Sequence, residues 1–416
     1  MLKSQYKFTQ LIGNMSQEDF IRVPYGSTVH GQEEIDAVVN VLKTTTQMSV
    51  NVREFEKEVA SLFAKEHGIM VNSGTSALYL AFEALNLPKG SEVITPALTF
   101  GTTVACLIKN GLIPVFVDVK PNTYCIDETQ IESKITNNTS AIIAPDLMGN
   151  ICEWPIIAQL AQENNLKIVV DSADTLGSTH DGIATGEFAD VAITSFYGSH
   201  IINGAGNGGM VVTSDDAIAD RCKLLRSWGR SSSLFVESEA IENRFDITLD
   251  GVQYDAKFVF EEAGYQLEPS EISAAFALVQ LKKLDENISL RNKHFDAHNK
   301  FFGGFDKFFT LPEQNPKAHT CWLAYPLIVN ENEHFSRTDL QIFLEKRNIQ
   351  TRVVFTGNIL RQPMMKDVPY VGNADDFVNA DRVMKQGILL ACHHGLSEAM
   401  IDHLYSSIEL FLQKYQ

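Results

Sequence analysis

Residues 191–216, VAITSFYGSHIINGAGNGGMVVTSDD, decide how the chain is read. VAITSF and GGMVVTS are short runs of apolar and β-branched residues, the composition of buried strands. Between them the chain turns, passes through the Gly-rich loop Ile202–Gly209 and returns as a second strand. His200 stands in that connection, just beyond a strand end, where loops tend to carry chemistry.

Working outward, the same kind of run recurs upstream as GIMVN, EVITP, IPVFVDV, SAIIAP and KIVVDS. Helical patterns such as SALYLAFEAL and WPIIAQLAQEN separate several of them. This alternation predicts an α/β fold with a mostly parallel sheet covered by helices on both faces. Ligands of such sheets bind beyond the carboxyl ends of the strands. Residues 31–66 read as two amphipathic helices, and Arg230–Phe260 as a polar, irregular insertion. Ser270 is placed to cap a long helix, PSEISAAFALVQLKKL. After about residue 285 the pattern changes to a smaller α+β domain, which divides the chain into 1–285 and 286–416.

Composition narrows the function classes. Of 416 residues, 44% are hydrophobic and 21% charged, as in ordinary globular proteins. A formal net charge of −18 disfavours nucleic acid and acidic membrane surfaces as partners. The opening MLKSQYKFTQLIGN lacks the apolar core of a signal peptide, and no run is long enough to span a membrane. The 6 cysteines form no CxC or CxxC pair, which predicts reduced thiols and a cytoplasmic location. Cys392-His393-His394 is the one local metal-like cluster, and three adjacent residues rarely converge on one ion; no metal is expected.

Several residues carry possible chemistry. Ser73, Gly74 and Thr75 follow the strand GIMV and open a helix, whose free N–H groups suit a phosphate. Ser195, ending VAITS, could add a hydroxyl to the same anion. Asp171 ends KIVVD and could pair with a protonated ring nitrogen, as pyridoxal phosphate enzymes require; Asp174 follows three residues on. Phe100, after EVITP, could stack on a flat cofactor ring. Arg352 is a candidate anion or sugar contact. Singly, each has a plain reading as a helix cap, a turn residue, a core ring or a surface ion pair.

Taken together in this order, the residues resemble the DegT/StrS family of sugar-nucleotide aminotransferases over nearly the whole chain, from about residue 23. The resemblance implies the type I pyridoxal-phosphate (aspartate-aminotransferase-like) fold. In that family the position of His200 normally holds a lysine that forms a Schiff base. Imidazole is not a primary amine, so the cofactor, pyridoxal or pyridoxamine 5'-phosphate, is expected to be held without a covalent bond. DSADTLGS, SFYGSH, the helix after Ser270 and RVVFTGNILRQ are similar to the branch that has histidine here, the 4-keto-6-deoxysugar 3-dehydratases. That branch implies removal of a C3 hydroxyl from a nucleotide-linked sugar, with His200 as general base and proton donor, in deoxysugar biosynthesis. It implies regeneration of the cofactor by an amino acid such as glutamate, and a homodimer with shared sites in which Gln266 reaches the partner's phosphate. A related subgroup binds an iron–sulfur cluster through cysteines before the long helix; Arg230–Phe260 has none, so no cluster is expected. The chain departs from the family at Gln266, where Asn is usual, at Glu268, where Arg or Lys is common, and at Asn207, where many relatives have an acid. Two other functions fit the motifs: an aminotransferase working without the lysine, and a silent binder of cofactor or sugar nucleotide.

Overall fold

A computed structural model of the chain describes residues 21–235 and 240–415. The opening segment judged above on composition lies outside the described residues. Every one of the seven runs read as strands is a strand: β1 His67–Val71, β2 Glu92–Pro96, β3 Ile113–Val117, β4 Thr139–Pro145, β5 Lys167–Ser172, β6 Val191–Ser195 and β7 Gly209–Thr213. They form one sheet in the order β1-β7-β6-β5-β4-β2-β3. The neighbours β2–β3, β2–β4, β4–β5 and β5–β6 are parallel. The loop after β6 contains no helix to cross over the sheet, so β7 returns antiparallel, with Ser195 opposite Gly209.

Side chains alternate across this sheet, and both faces are buried. Met70, Ile94, Ile142, Val170 and Val212 pack in one core with Phe55 and Trp154. Ile69, Val93, Ile143, Val169 and Val211 pack in the other with Leu78, Leu107 and Leu225. Helices therefore cover both faces, which is why the strands read as continuous apolar runs. The parallel strands β2, β4, β5 and β6 end on one edge, and so does β1, which runs antiparallel to β7. That edge places residues 72–75, 97–100, 145–146, 171–174 and 195–200 together.

A four-stranded antiparallel sheet of Phe309–Thr310, Tyr325–Val329, Gly387–Leu390 and Arg352–Val353 builds the smaller α+β domain, with helices Arg337–Lys346 and Glu398–Leu412. The long helix Leu284–Phe302 enters it. The fold is thus that of the type I pyridoxal-phosphate enzymes. Its segment 355–359 docks on the large sheet's edge: Thr356 donates to the carbonyl of Thr99, and Ile359 N–H to that of Ala97 at 2.9 Å.

The segment Arg230–Phe260 differs from its reading. ITLDGVQY is a β-hairpin, Ile247–Leu249 paired with Val252–Tyr254. Asp250 and Gly251 have φ of 49° and 84°, the two left-handed positions of a type I′ turn. Among its described residues the segment also exposes apolar side chains: Ile241, Val252, Phe258 and Phe260 are each more than half exposed. Ser270 caps its helix as expected, accepting from Ser273 N–H.

Candidate active site

The Ser73–Thr75 segment starts the helix Gly74–Leu85, with Ser73 as cap: its Oγ accepts from Ser76 N–H at 3.1 Å. By helix geometry the N–H groups of Gly74 and Thr75 have no partner inside the helix. Two glycines bring this helix start against the β6–β7 edge. A Cβ on Gly74 would stand 2.6 Å from Ser195 Cβ, and one on Gly209 would stand 2.3 Å from the Ser73 carbonyl oxygen. A hydroxyl and a ring of N–H donors thereby face one concavity, the geometry of an anion cradle.

Asp171 lies at the end of β5, with only 3% of its surface exposed. It accepts from Thr103 Oγ1 at 2.8 Å and from Ala173 N–H at 3.2 Å. Burial pushes its carboxyl up to about 6, against those two hydrogen bonds. Asp174 accepts from Met148 N–H at 2.8 Å. Burial, with Asp171 nearby, pushes it up to about 7. A buried carboxyl lacking a cation but open to a cavity is suited to receive one.

His200 follows a tight turn in which its N–H donates to the Tyr197 carbonyl at 2.9 Å. Its Nδ1 lies 3.2 Å from the Ser195 carbonyl oxygen. A carbonyl only accepts, so the ring donates from Nδ1 in this contact, and the Ala173 backbone also hydrogen-bonds the ring. Enclosure by the surrounding protein pushes the imidazole down to about 4. Desolvation in the cavity wall therefore favours the neutral histidine, a form competent to accept a proton.

Phe100 is the N-cap of helix Gly101–Lys109 and is 53% exposed. Its ring meets Phe355 edge to face at 5.8 Å. Ser73, Gly74, Thr75 and Phe100 line a single cavity of about 350 Å³ with Asp171, Asp174, Ser195 and His200. Asn207 lines it too.

Two predicted residues lie outside that cavity. Gln266 is exposed, and its backbone pairs with Ser227 in an isolated bridge. Glu268 beside it accepts from Ser227 Oγ at 2.7 Å. Arg352 does not line the cavity; its guanidinium lies 5.4 Å from the centre of the Tyr25 ring, and Tyr25 does line it. The cluster at 392–394 diverges. His393 Nε2 bonds the Pro24 carbonyl at 3.0 Å, and His394 Nδ1 accepts from Arg291 Nε at 3.3 Å.

Sequence reasoning missed Tyr25, Tyr197, Phe355, Thr103 and Arg291. Tyr25 and Phe355 reach the cavity only through tertiary docking. Arg291 had a legible signal: Asn287, Arg291, His294 and His298 form a helically spaced polar stripe, and all four are buried.

Comparison with known proteins gives this geometry a setting. The model of the DegT/DnrJ/EryC1/StrS aminotransferase family matches residues 29–409. A dTDP-4-dehydro-2,6-dideoxy-D-glucose 3-dehydratase from Saccharopolyspora spinosa is 34% identical over 405 residues, covering 94% of this chain and 86% of that protein. The solved structure of an E. coli GDP-4-keto-6-deoxy-D-mannose-3-dehydratase with bound hydrated PLP superposes with a TM-score of 0.83 at 27% identity, over 93% of this chain and 99% of that one. A GDP-4-keto-6-deoxymannose-3-dehydratase with a trapped PLP-glutamate geminal diamine gives a TM-score of 0.82 at 26% identity, over 92% and 99%.

Proposed function

The chain belongs to the DegT/DnrJ/EryC1/StrS aminotransferase family, and from that premise we propose that it is a sugar-nucleotide 3-dehydratase. Its cofactor is pyridoxal or pyridoxamine 5'-phosphate, held without a covalent bond. The donors present fit that group. The N–H groups of Gly74 and Thr75 with the Ser73 and Ser195 hydroxyls would hold the phosphate, and the Phe100 ring would cover one face. Asp171, buried and pushed up for want of a cation, would hold a pyridinium proton and be drawn back to its ionised form by it. When bound, the cofactor supplies the electron sink and the amine that engages the sugar's 4-keto carbon.

The observation that carries the reaction type is His200. On the family resemblance it stands where a lysine is usual, and its ring lines the cavity with Nδ1 tied to the Ser195 carbonyl. As general base it takes a carbon-bound proton, and as the resulting imidazolium it gives one to the departing C3 hydroxyl. Asp174 faces the same space and orients the polar end of whatever His200 acts on. The relatives named as 3-dehydratases support this reading, and the glutamate trapped in one of them supports glutamate as the amine source.

Gln266 acts in a homodimer on this account, reaching the phosphate of the partner subunit. Exposed Trp228, Phe258, Phe260 and Tyr265 around it give such a contact an apolar face. Arg352 then reaches substrate through the Tyr25 side of the cavity. The division at residues 285–286, a cytoplasmic location and a route without an iron–sulfur cluster belong to the same proposal. The last is supported by the absence of any cysteine in 230–260, a segment in which a thiolate-ligated cluster would need them. Among the described residues no helix is long and apolar enough to cross a membrane.

The family's own name keeps one alternative alive, transfer of an amine to C4. Incubation with pyridoxamine phosphate, glutamate and a panel of GDP-, CDP- and dTDP-linked 4-keto-6-deoxy sugars separates the two. A 3-deoxy product with release of 2-oxoglutarate supports the proposal; a 4-amino sugar as sole product rejects it.

A further inference from the structure

The helix Leu284–Phe302 buries a cation that this function does not yet use. Arg291 is fully enclosed, and among the described residues no carboxylate forms an ion pair with it. Its donors are spread over backbone instead. Nη1 reaches the carbonyls of Trp322 at 3.3 Å and Leu323 at 2.9 Å, and Nη2 those of Ser199 at 3.4 Å and His200 at 3.2 Å. Nε points at His394 Nδ1 at 3.3 Å, so that ring must accept there.

These acceptors belong to three segments: the loop carrying His200, the approach to strand Tyr325–Val329, and the turn at 394. Burying a guanidinium with no carboxylate in direct contact is expensive, and an apolar side chain of similar volume would often give equal or better stability. What an apolar side chain cannot do is grip carbonyls. Here one of them belongs to His200 itself, whose ring is held from the other side by the Ser195 carbonyl.

We propose that Arg291 is a positioning residue for His200: it locks the 199–200 backbone to the 322–323 segment so that Nε2 faces the reacting carbon. The inference rests on His200 being the base. The guanidinium also acts through space, since its charge helps to push the His200 imidazole down and opposes the rise of Asp174. The other ionisable groups near His200 are Asp174, Asp171, Tyr25 and Tyr197, which line the same cavity.

The test compares Arg291→Lys, which keeps the charge and loses the fork, with Arg291→Met, which loses both. Turnover with the accepted nucleotide sugar is measured beside NMR titration of the His200 ring, assigned by its loss in His200→Asn. Arg291→Met should titrate at higher pH than wild type, and Arg291→Lys close to wild type. Both should lose kcat, by on the order of 100-fold in the methionine variant, with KM nearly unchanged. Unchanged kcat in folded Arg291→Lys and Arg291→Met, or a loss confined to KM, overturns the proposal. Should Arg291→Met not fold, the kcat of Arg291→Lys decides in the same way. The titration needs no substrate. A shifted His200 in a protein whose wild type removes no hydroxyl would leave the positioning role standing and overturn the dehydratase reading instead.

Discussion

Replacing Asp171 with Asn should make the cofactor-free protein gain stability relative to wild type as pH rises, while nearly abolishing cofactor binding. Burial raises the folded-state value of Asp171 from 3.8 to about 6. The folded state therefore holds its proton longer than the unfolded chain does, and the carboxyl's contribution falls as pH rises through that interval. One pKa unit is about 1.36 kcal/mol, so the full penalty is about 3 kcal/mol above pH 6. Roughly half is already present at about pH 5, leaving a change on the order of 1 kcal/mol between about pH 5 and about pH 8. Asparagine keeps an acceptor for Thr103 or Ala173 and loses the charge, so its own stability lacks this slope. The lost hydrogen-bond quality costs about 1 kcal/mol at either pH and cancels in the difference.

The assay is urea unfolding of wild type and Asp171→Asn at the two pH values, with and without pyridoxal phosphate. At about 100 times its Kd the cofactor should stabilise wild type by about 2.7 kcal/mol and the variant by little. A stability gap that does not move with pH would refute the buried-carboxylate argument. Equal cofactor stabilisation of both proteins would refute the pyridinium pairing.

Other sites give sharper or simpler readouts. Gly74→Ala drives a Cβ to 2.6 Å from Ser195 Cβ, so it should lose about 1–3 kcal/mol in urea unfolding and weaken phosphate and cofactor binding together. Phe100→Ala removes a ring that is 53% exposed; fluorescence titration should find weaker cofactor binding with thermal stability little changed. His200 lies below its ordinary value of 6.5, at about 4, so its neutral form supports the fold above about pH 6.5 and that support is lost as pH falls towards 4. His200→Asn should accordingly be less acid-sensitive than wild type in that window, read by circular dichroism; an unchanged acid transition would contradict the burial of a neutral ring.

The sheet was legible because each of its strands is buried on both faces and therefore apolar throughout, as in KIVVD and VAITS. The edge residues were legible because a strand end followed by a small or acidic residue is a local pattern. The hairpin at 247–254 was also within reach, through its Asp-Gly turn, but its exposed apolar residues lacked a core partner to explain them. Val378–Gln386 and the strand Gly387–Leu390 were missed: a 9-residue helix followed at once by a 4-residue strand gives too short a period to read. Tyr25 and Phe355 depend on docking between distant segments, and no spacing signals that. The ionisation of His200 was not legible for the same reason, because it depends on enclosure rather than on its neighbours in sequence.

The central claim is that this cavity removes a C3 hydroxyl and that His200 moves the protons. Single-turnover product mass for wild type and His200→Asn, loaded with pyridoxamine phosphate and given a 4-keto-6-deoxy sugar nucleotide, tests it most directly. The account predicts loss of the C3 oxygen by wild type, and unreacted sugar from a variant that still binds the cofactor. A wild-type product that keeps that oxygen, or a variant that removes it as fast, would contradict the account.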